Sequence, residues 1–264
     1  MDLTQSAQCI FTILFSFITV FFVPSRDDHL VKGDEYYESF ENEKALKEYE
    51  LAYQKSPTSY WTLFRLVRIH NDNGRVHLRK DTLSESEYRK ALCYADSLLH
   101  YYPDSAGAHF WYALSKGSLI PFVGVGDKIA IGKDVKNHIQ QTLKYDSTFS
   151  HAYIVRAIFE REGAKLTWLE KGIVQIVFGE NLSGSLKAAE QNLHLALQYE
   201  PDNPFAYYEL FWTYRAMKDS VKAIDALQKV IRFVPRNLRE KQQQTEAAEY
   251  LAELASHTSN KVKR

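Results

Sequence analysis

The chain has 264 residues, with 33 Lys+Arg balanced by 33 Asp+Glu and a pI near 7.1. That balance excludes a dedicated binder of nucleic acid or of anionic membranes, which needs a clustered basic surplus. Two cysteines exclude a disulfide framework or a Cys-rich zinc site, and seven prolines and eleven glycines are too few for the turns of a β-sandwich.

In chain order, the first feature is the apolar run Cys9 to Val23, CIFTILFSFITVFFV, which carries no charge. It is short for a membrane span and suits the apolar centre of a secretory signal, with Val23-Pro24-Ser25 as the cleavage region. Residues 1–25 are therefore expected to be a signal peptide or an N-terminal membrane anchor. The chain is expected to be exported, to a periplasmic or other extracytoplasmic site, with membrane contact only through residues 9–23 if they are kept. Cleavage leaves Cys93 as the lone thiol, and its apolar helical surroundings predict a buried, inert side chain.

From Arg26 a helical period dominates, and prolines punctuate it at Pro57, Pro103, Pro201 and Pro235. Each follows a helix with a compact residue five positions earlier: Ala52, Leu98, Ala196 and Val230. Ser147 stands at the corresponding place in a further unit. In the first unit Gly33, Tyr36, Ala45, Tyr49, Ala52 and Pro57 alternate small and aromatic residues. In the last, Tyr207, Leu210, Phe211 and Tyr214 precede Ala223, Leu227 and Val230. These spacings are similar to the 34-residue tetratricopeptide repeat, in which small residues let two helices approach and proline stops the second.

The expected fold is therefore all-α, a tetratricopeptide-like solenoid of about five helix pairs over residues 26–254, with inserted segments. Asn71 to Ser84 reads as a polar loop, with Ser84 and Glu87 as a capping box for the next helix. Lys116 to Asp134 reads as a second insertion. Trp168 to Phe178 reads as an extra structural helix, and Glu240 to Leu254 as a capping helix with Ala247, Leu251 and Leu254 inward. Residues 255–264 are expected to be a flexible polar tail.

Catalytic signatures are absent from the sequence. Gly124-Val-Gly126 with Gly132-Lys133 has the wrong spacing for a phosphate loop, and Asp134 follows the lysine where Ser or Thr must stand. The nine histidines show no HExxH pattern, so neither metal nor cofactor is expected. No GxSxG elbow occurs. Asn181-Leu-Ser183 is a glycosylation sequon that matters only in a eukaryotic secretory route.

What remains informative is the stripe of each first helix that turns away from the second. It predicts a groove lined by Trp61, Phe64 and Arg68, by Phe110, by Arg161, and by Tyr208, Trp212 and Arg215. Rigid rings with a few arginines suit a protein or peptide partner, because they bury area at little entropic cost. The opposite outcome stays open: inserted helices fill the groove and these rings become ordinary core. Two functions follow, a noncatalytic scaffold binding protein or peptide, or a small-ligand-binding helper of a solute transport system with an aromatic cavity.

The stretch from about Ala108 to Leu254 also resembles the regulator of microtubule dynamics family, a tetratricopeptide-like group. The likeness is carried by Val135 to Asp146, Ala152 to Phe159, Leu166 to Lys171, Val177 to Glu180, Gly184 to Ala189, Glu200-Pro201-Asp202 and Glu246 to Leu251. Ser147 departs from it where proline is common, as does the absence of Leu-Gly near Val155 to Ala157. The resemblance implies an all-α interaction surface and carries no catalytic residue. An apparent export signal points to bacterial-type, exported relatives and away from the microtubule and mitochondrial roles of eukaryotic members.

Overall fold

A computed structural model describes residues 27–76, 82–166, 171, 175 and 184–262. Among them are eleven α-helices and no strand. Helices α1 (Asp28–Glu38) and α2 (Asn42–Lys55) form the first pair, α3 (Tyr60–Val76) and α4 (Thr82–Tyr101) the second, α5 (Ala106–Gly117) and α6 (Val125–Tyr145) the third. Helices α7 (Ser150–Lys165) and α8 (Leu186–Tyr199) form the fourth pair, α9 (Pro204–Met217) and α10 (Ser220–Arg232) the fifth, and α11 (Leu238–Val262) closes the array. This is the solenoid that the spacing of small residues and prolines calls for. None of the described helices is long and apolar enough to cross a membrane.

Local chemistry starts and stops the helices. The side chains of Asp27, Ser105, Ser185, Asn203 and Asp219 each accept a backbone N–H of the first turn they precede. Pro204 occupies the first position of α9, where its missing N–H costs nothing. Lys218 closes α9 in the left-handed region (φ 63°), and Asp219 N–H returns to the Tyr214 carbonyl. At the proline-free junction Asp146 does the work of the missing ring. Its carboxylate accepts from Thr148 N at 2.9 Å and turns the chain after α6.

Packing rests on close approach. Ala45, Ala52, Ala91, Ala95, Ala108, Ala113, Ala152, Ala189, Ala196 and Ala206 are all at 0% exposure, and Leu98 and Val230 at their closing positions are equally buried. Large residues interleave with them: Tyr49, Leu63, Leu66 and Ile69 toward the first end, Ile154, Leu193, Phe211 and Leu227 toward the last. Gly33 is fixed by the same logic, since a Cβ there would meet Tyr49 Cδ1 at 2.6 Å.

Three expectations are corrected. Asn71 to Val76 of the expected polar loop are the last turns of α3, because their polar groups find tertiary partners, and residues 77–81 lie outside the described residues. His70 meets Glu87 at 2.7 Å, Asn71 donates to Ser115 Oγ at 2.8 Å, and Asp72 accepts from Tyr37 at 2.6 Å. Ser84 and Glu87 are no capping box: Ser84 lies inside α4 and donates to the Gly74 carbonyl. The inserted segment from Lys116 is built as the end of α5, a 3-10 turn over Ile120–Phe122, and the first half of α6. Cys93 is exposed, on the outward side of α4.

Much of the irregular spacing is absorbed as helix length: α4 has 20 residues and α6 has 21, where α10 has 13. Extra turns added beyond the packed stripe cost little, since propagating a helix is far easier than starting one. The expected polar tail is likewise continued as helix to Val262. The Trp168–Phe178 helix and the Asn181 sequon lie outside the described residues.

Gly33→Ala should lower stability by about 1–3 kcal/mol, the usual cost of overpacking a filled interior. Tyr49 cannot swing away, because its hydroxyl donates to Asp34 at 2.8 Å and accepts from Arg68 at 3.1 Å. Urea unfolding followed by circular dichroism measures the difference.

Candidate functional site

The first helices of successive pairs pack on one another, α3 on α5 and α7 on α9, and so line the inner face of the array. Extended inner faces are what solenoids use for binding. Trp61, second residue of α3, is 59% exposed, its ring edge-on to Tyr60 at 5.1 Å and to Phe64 at 6.0 Å. Phe64 is half-buried and meets Trp111 of α5 at 5.4 Å. Trp111 meets Phe110 at 5.5 Å, and Phe110 meets Phe149 at 4.9 Å just before α7. A continuous run of ring contacts thus crosses three repeats, from solvent-facing Trp61 through buried Phe110 to Phe149.

One turn on from Trp61 a charged cluster ties α1 to α3. Arg65 Nε donates to Asp34 at 2.8 Å, and the Arg68 guanidinium lies 3.8 Å over the Tyr37 ring. Burial alone would raise the Asp34 carboxyl, but hydrogen bonds from Arg65 and Tyr49 and the nearby Arg68 charge hold it below its ordinary value. Arg68 is thereby a structural clamp, half-buried among rings, more than a free groove cation.

The inner face is not empty. Helix α11 packs against α10 and α9 at the end of the array and also reaches back to α3. Arg239 stands 3.7 Å from Asp72, whose carboxyl is fully buried and raised by that burial even though Arg239 opposes it. Glu246 accepts from Tyr208 Oη at 2.7 Å and pairs with Arg75 of α3 at 3.3 Å. Tyr250 packs on Trp212 at 5.2 Å and on Phe211 at 5.4 Å, with the Arg215 guanidinium 5.5 Å above Trp212. Gln244 Nε2 donates to the carbonyls of Ile231 and Phe233 at 2.7 Å each, capping the end of α10. The groove is therefore filled in its C-terminal half, by the terminal helix instead of an inserted one.

The eight residues expected to line a groove are divided accordingly. Trp61 and Arg215 face solvent, while Phe64, Arg68 and Trp212 are half-buried. Phe110 and Tyr208 are core, and Arg161 is internal: its Nη1 donates to the Glu209 carboxylate at 2.7 Å, with both side chains over nine-tenths buried. The spacing gave no warning of that pair, because Glu209 lies 48 positions downstream on another helix. Asp34, Arg65 and Trp111 went unnoticed at the accessible end. The Arg65–Arg68–Asp72–Arg75 stripe, one charged residue per turn, was the available signal, hidden by reading residues after Asn71 as a loop.

Chemically the face offers rings, guanidinium groups and ion pairs. Among the described residues no group of three or more His, Cys, Asp or Glu side chains is disposed to hold a metal ion.

A family model described as regulator of microtubule dynamics protein 1-3 matches residues 29–255. The chain belongs to this family. Among its curated relatives, regulator of microtubule dynamics protein 1 of Mus musculus is 26% identical over 234 residues, covering 86% of this chain and 74% of the relative. Regulator of microtubule dynamics protein 3 of Rattus norvegicus is 25% identical, covering 65% of this chain and 37% of the relative. A thermophilic TPR protein of Thermus thermophilus has a similar fold, with a TM-score of 0.59 at 17% identity over 84% of this chain and 97% of that one. The family match spans the first two helix pairs as well as the C-terminal half, so this regulator of microtubule dynamics fold begins at α1.

Within that fold the Arg161–Glu209 pair joins α7 to α9 beneath the inner face. Glu209→Ala leaves a buried guanidinium without its counter-charge and should cost about 3–5 kcal/mol. A compensating Arg161→Met/Glu209→Leu double variant should recover most of the loss, as read by urea unfolding of all three proteins.

Proposed function

We propose that the protein is a noncatalytic helical scaffold that binds a protein or peptide partner on the accessible part of its inner face. The observation that carries this reading is the division of that face: α11 occupies one part, while Trp61 and Arg215 face solvent and Phe64, Trp111 and Trp212 stay half-exposed. Family membership supports a binding role, since the relatives are named as regulators and the fold neighbour is a TPR protein. The relatives' name makes tubulin one partner to test.

The reading as a transport helper gains nothing from the described residues. A cleft of about 530 Å³ runs along α4, lined by Thr82, Glu85, Arg89, Lys90, Cys93 and Tyr94, and is an open surface groove rather than an enclosed aromatic cavity.

The partner is tested by crosslinking the native protein in its own compartment and comparing it with Phe64→Ala and Arg215→Ala. A protein captured by the native chain and lost at least tenfold in both variants, with unchanged melting curves, is the expected result. Capture that ignores both variants overturns the assignment of the face, and co-sedimentation with microtubules separates tubulin from other partners.

We further propose that residues 1–25 bring the chain to a membrane for export, as a cleaved signal or a retained anchor. N-terminal sequencing of the native protein distinguishes these: a start at Arg26 marks cleavage, and a membrane-bound chain starting at Met1 marks an anchor. A chain starting at Met1 and free of membrane overturns both.

A further inference from the structure

Two of the nine histidines face each other across the third helix pair. His109 is buried at the end of the first turn of α5, and His138 lies in the second half of α6. Their Nδ1 atoms are 2.8 Å apart, and His109 Nε2 is 2.8 Å from the Pro103 carbonyl. A carbonyl oxygen only accepts, so His109 Nε2 carries a proton. In the neutral ring Nδ1 is then an acceptor, and the proton of the shared bond belongs to His138 Nδ1. The remaining nitrogen, His138 Nε2, carries no proton in the neutral pair and lies 3.5 Å from the Asp134 carboxylate. One bond thus fixes both tautomers.

The groups around the pair hold its rings in place. Tyr145 of α6 stacks on His109 at 5.5 Å and donates to Asp104, in the turn before α5, at 3.0 Å. The Tyr112 ring lies 4.3 Å from His138. Lys116 of α5 pairs with Asp134 and donates to Tyr112 Oη at 2.7 Å, and Asp96 of α4 faces both Lys116 and Asp134. Burial alone would raise the Asp134 carboxyl, but Lys116, His138 and Tyr112 hold it below its ordinary value, so it stays anionic beside His138. Burial pushes His138 down; Asp134 opposes this, while His109 and Lys116 add to it.

The arrangement has room for one added proton and not for two. The first can go to His138 Nε2, where Asp134 faces it and the shared bond survives. A second must go to His109 Nδ1, which turns both facing nitrogens into donors and sets two cations against each other. We propose that the pair is a proton-operated catch. It holds α5 to α6 while His109 Nδ1 is bare and releases them when that atom is protonated. In the unfolded chain each imidazole takes up a proton near about pH 6.5, whereas the closed pair accepts fewer. Closure is therefore complete above that pH and is lost as pH falls below it, by about tenfold per pH unit for each proton refused. Phe110, Ala113, Val135 and Ile139 form one apolar cluster beside the catch, so packing survives the release. Phe110 is also a link in the ring run of the inner face, which couples that face to the proton.

The test is made on the full chain, with the tautomers read first. Long-range proton–nitrogen NMR correlations of the imidazoles, assigned with His109→Gln and His138→Asn, should show single protonation at about one pH unit above the ordinary histidine value. His109 should carry its proton at Nε2 and His138 at Nδ1; any other pair of tautomers overturns the proposal. Urea unfolding of the native chain and both variants is then compared at that pH and about one unit below the ordinary value. His109→Gln keeps a donor for Pro103 and removes the second proton site. His138→Asn keeps a bond in either state, because its amide can turn from donor to acceptor as His109 gains a proton. The remaining histidines and Asp96 are present in all three proteins, so the difference belongs to the pair. On acidification the native unfolding constant should rise about tenfold more than that of either variant. An equal rise in the native chain and in a folded variant overturns the proposal. Should neither variant fold, the native titration decides. Displacement of the Phe110 and Tyr145 resonances as His109 becomes doubly protonated supports the catch, and resonances that stay in place overturn it.

Discussion

Everything in this molecule depends on how closely its helices can approach. A helix pair held by alanine brings two backbones near enough for the large residues on either side to interlock, and each pair then offers the same relief to the next. Substituting bulk at one such point pushes apart two helices and also misaligns the stripe that the following repeat must meet. The buried alanines from Ala45 to Ala226 are thus the quantity that the sequence repeats, more consistently than any motif of large residues.

Onto this frame α11 adds a connection of another kind. A terminal helix is needed to cover the exposed flank of the last pair, and Ala247, buried with Leu251 and Leu254 packed beside it, does that. An adjacent stripe of the same helix carries Arg239 and Glu246, which meet Asp72 and Arg75 three repeats earlier in the chain. Apolar burial supplies the attachment to α9 and α10, and polar pairing supplies the register against α3. Those polar contacts are imperfectly satisfied: Gln242 Oε1 and Asn71 Oδ1 are buried without a hydrogen-bond partner in the protein. Such groups mark where ordered water belongs.

The repeat, its closing positions and the inward face of the capping helix were legible because each is written in local spacing. Ala52, Leu98, Ala196 and Val230 needed only their distance to the next proline or turn. The run His70 to Arg75 misled because its residues favour loops in isolation, and the partners that make it helical, Tyr37, Glu87 and Ser115, lie far away in sequence. Cys93 misled for a simpler reason: an apolar neighbourhood along the chain says nothing about which side of a helix a residue takes. The groove was half legible. Periodicity found the inward stripe, but which part of it stays uncovered depends on a helix that returns from the far end of the chain.

That return has a consequence for how the protein folds. A solenoid with nearest-neighbour contacts alone can begin anywhere and unfold by fraying, because no repeat depends on a distant one. Closing α11 onto α3 joins positions such as 75 and 246, separated by 171 residues, and loop closure of that span must be completed before the contact gives anything back. The contact order rises and the last event in folding becomes global rather than local. In return, the second and fifth repeats lose their independence. Fraying at either end then strains the same seam, and an array that would otherwise melt by degrees gains the cooperativity of a closed domain.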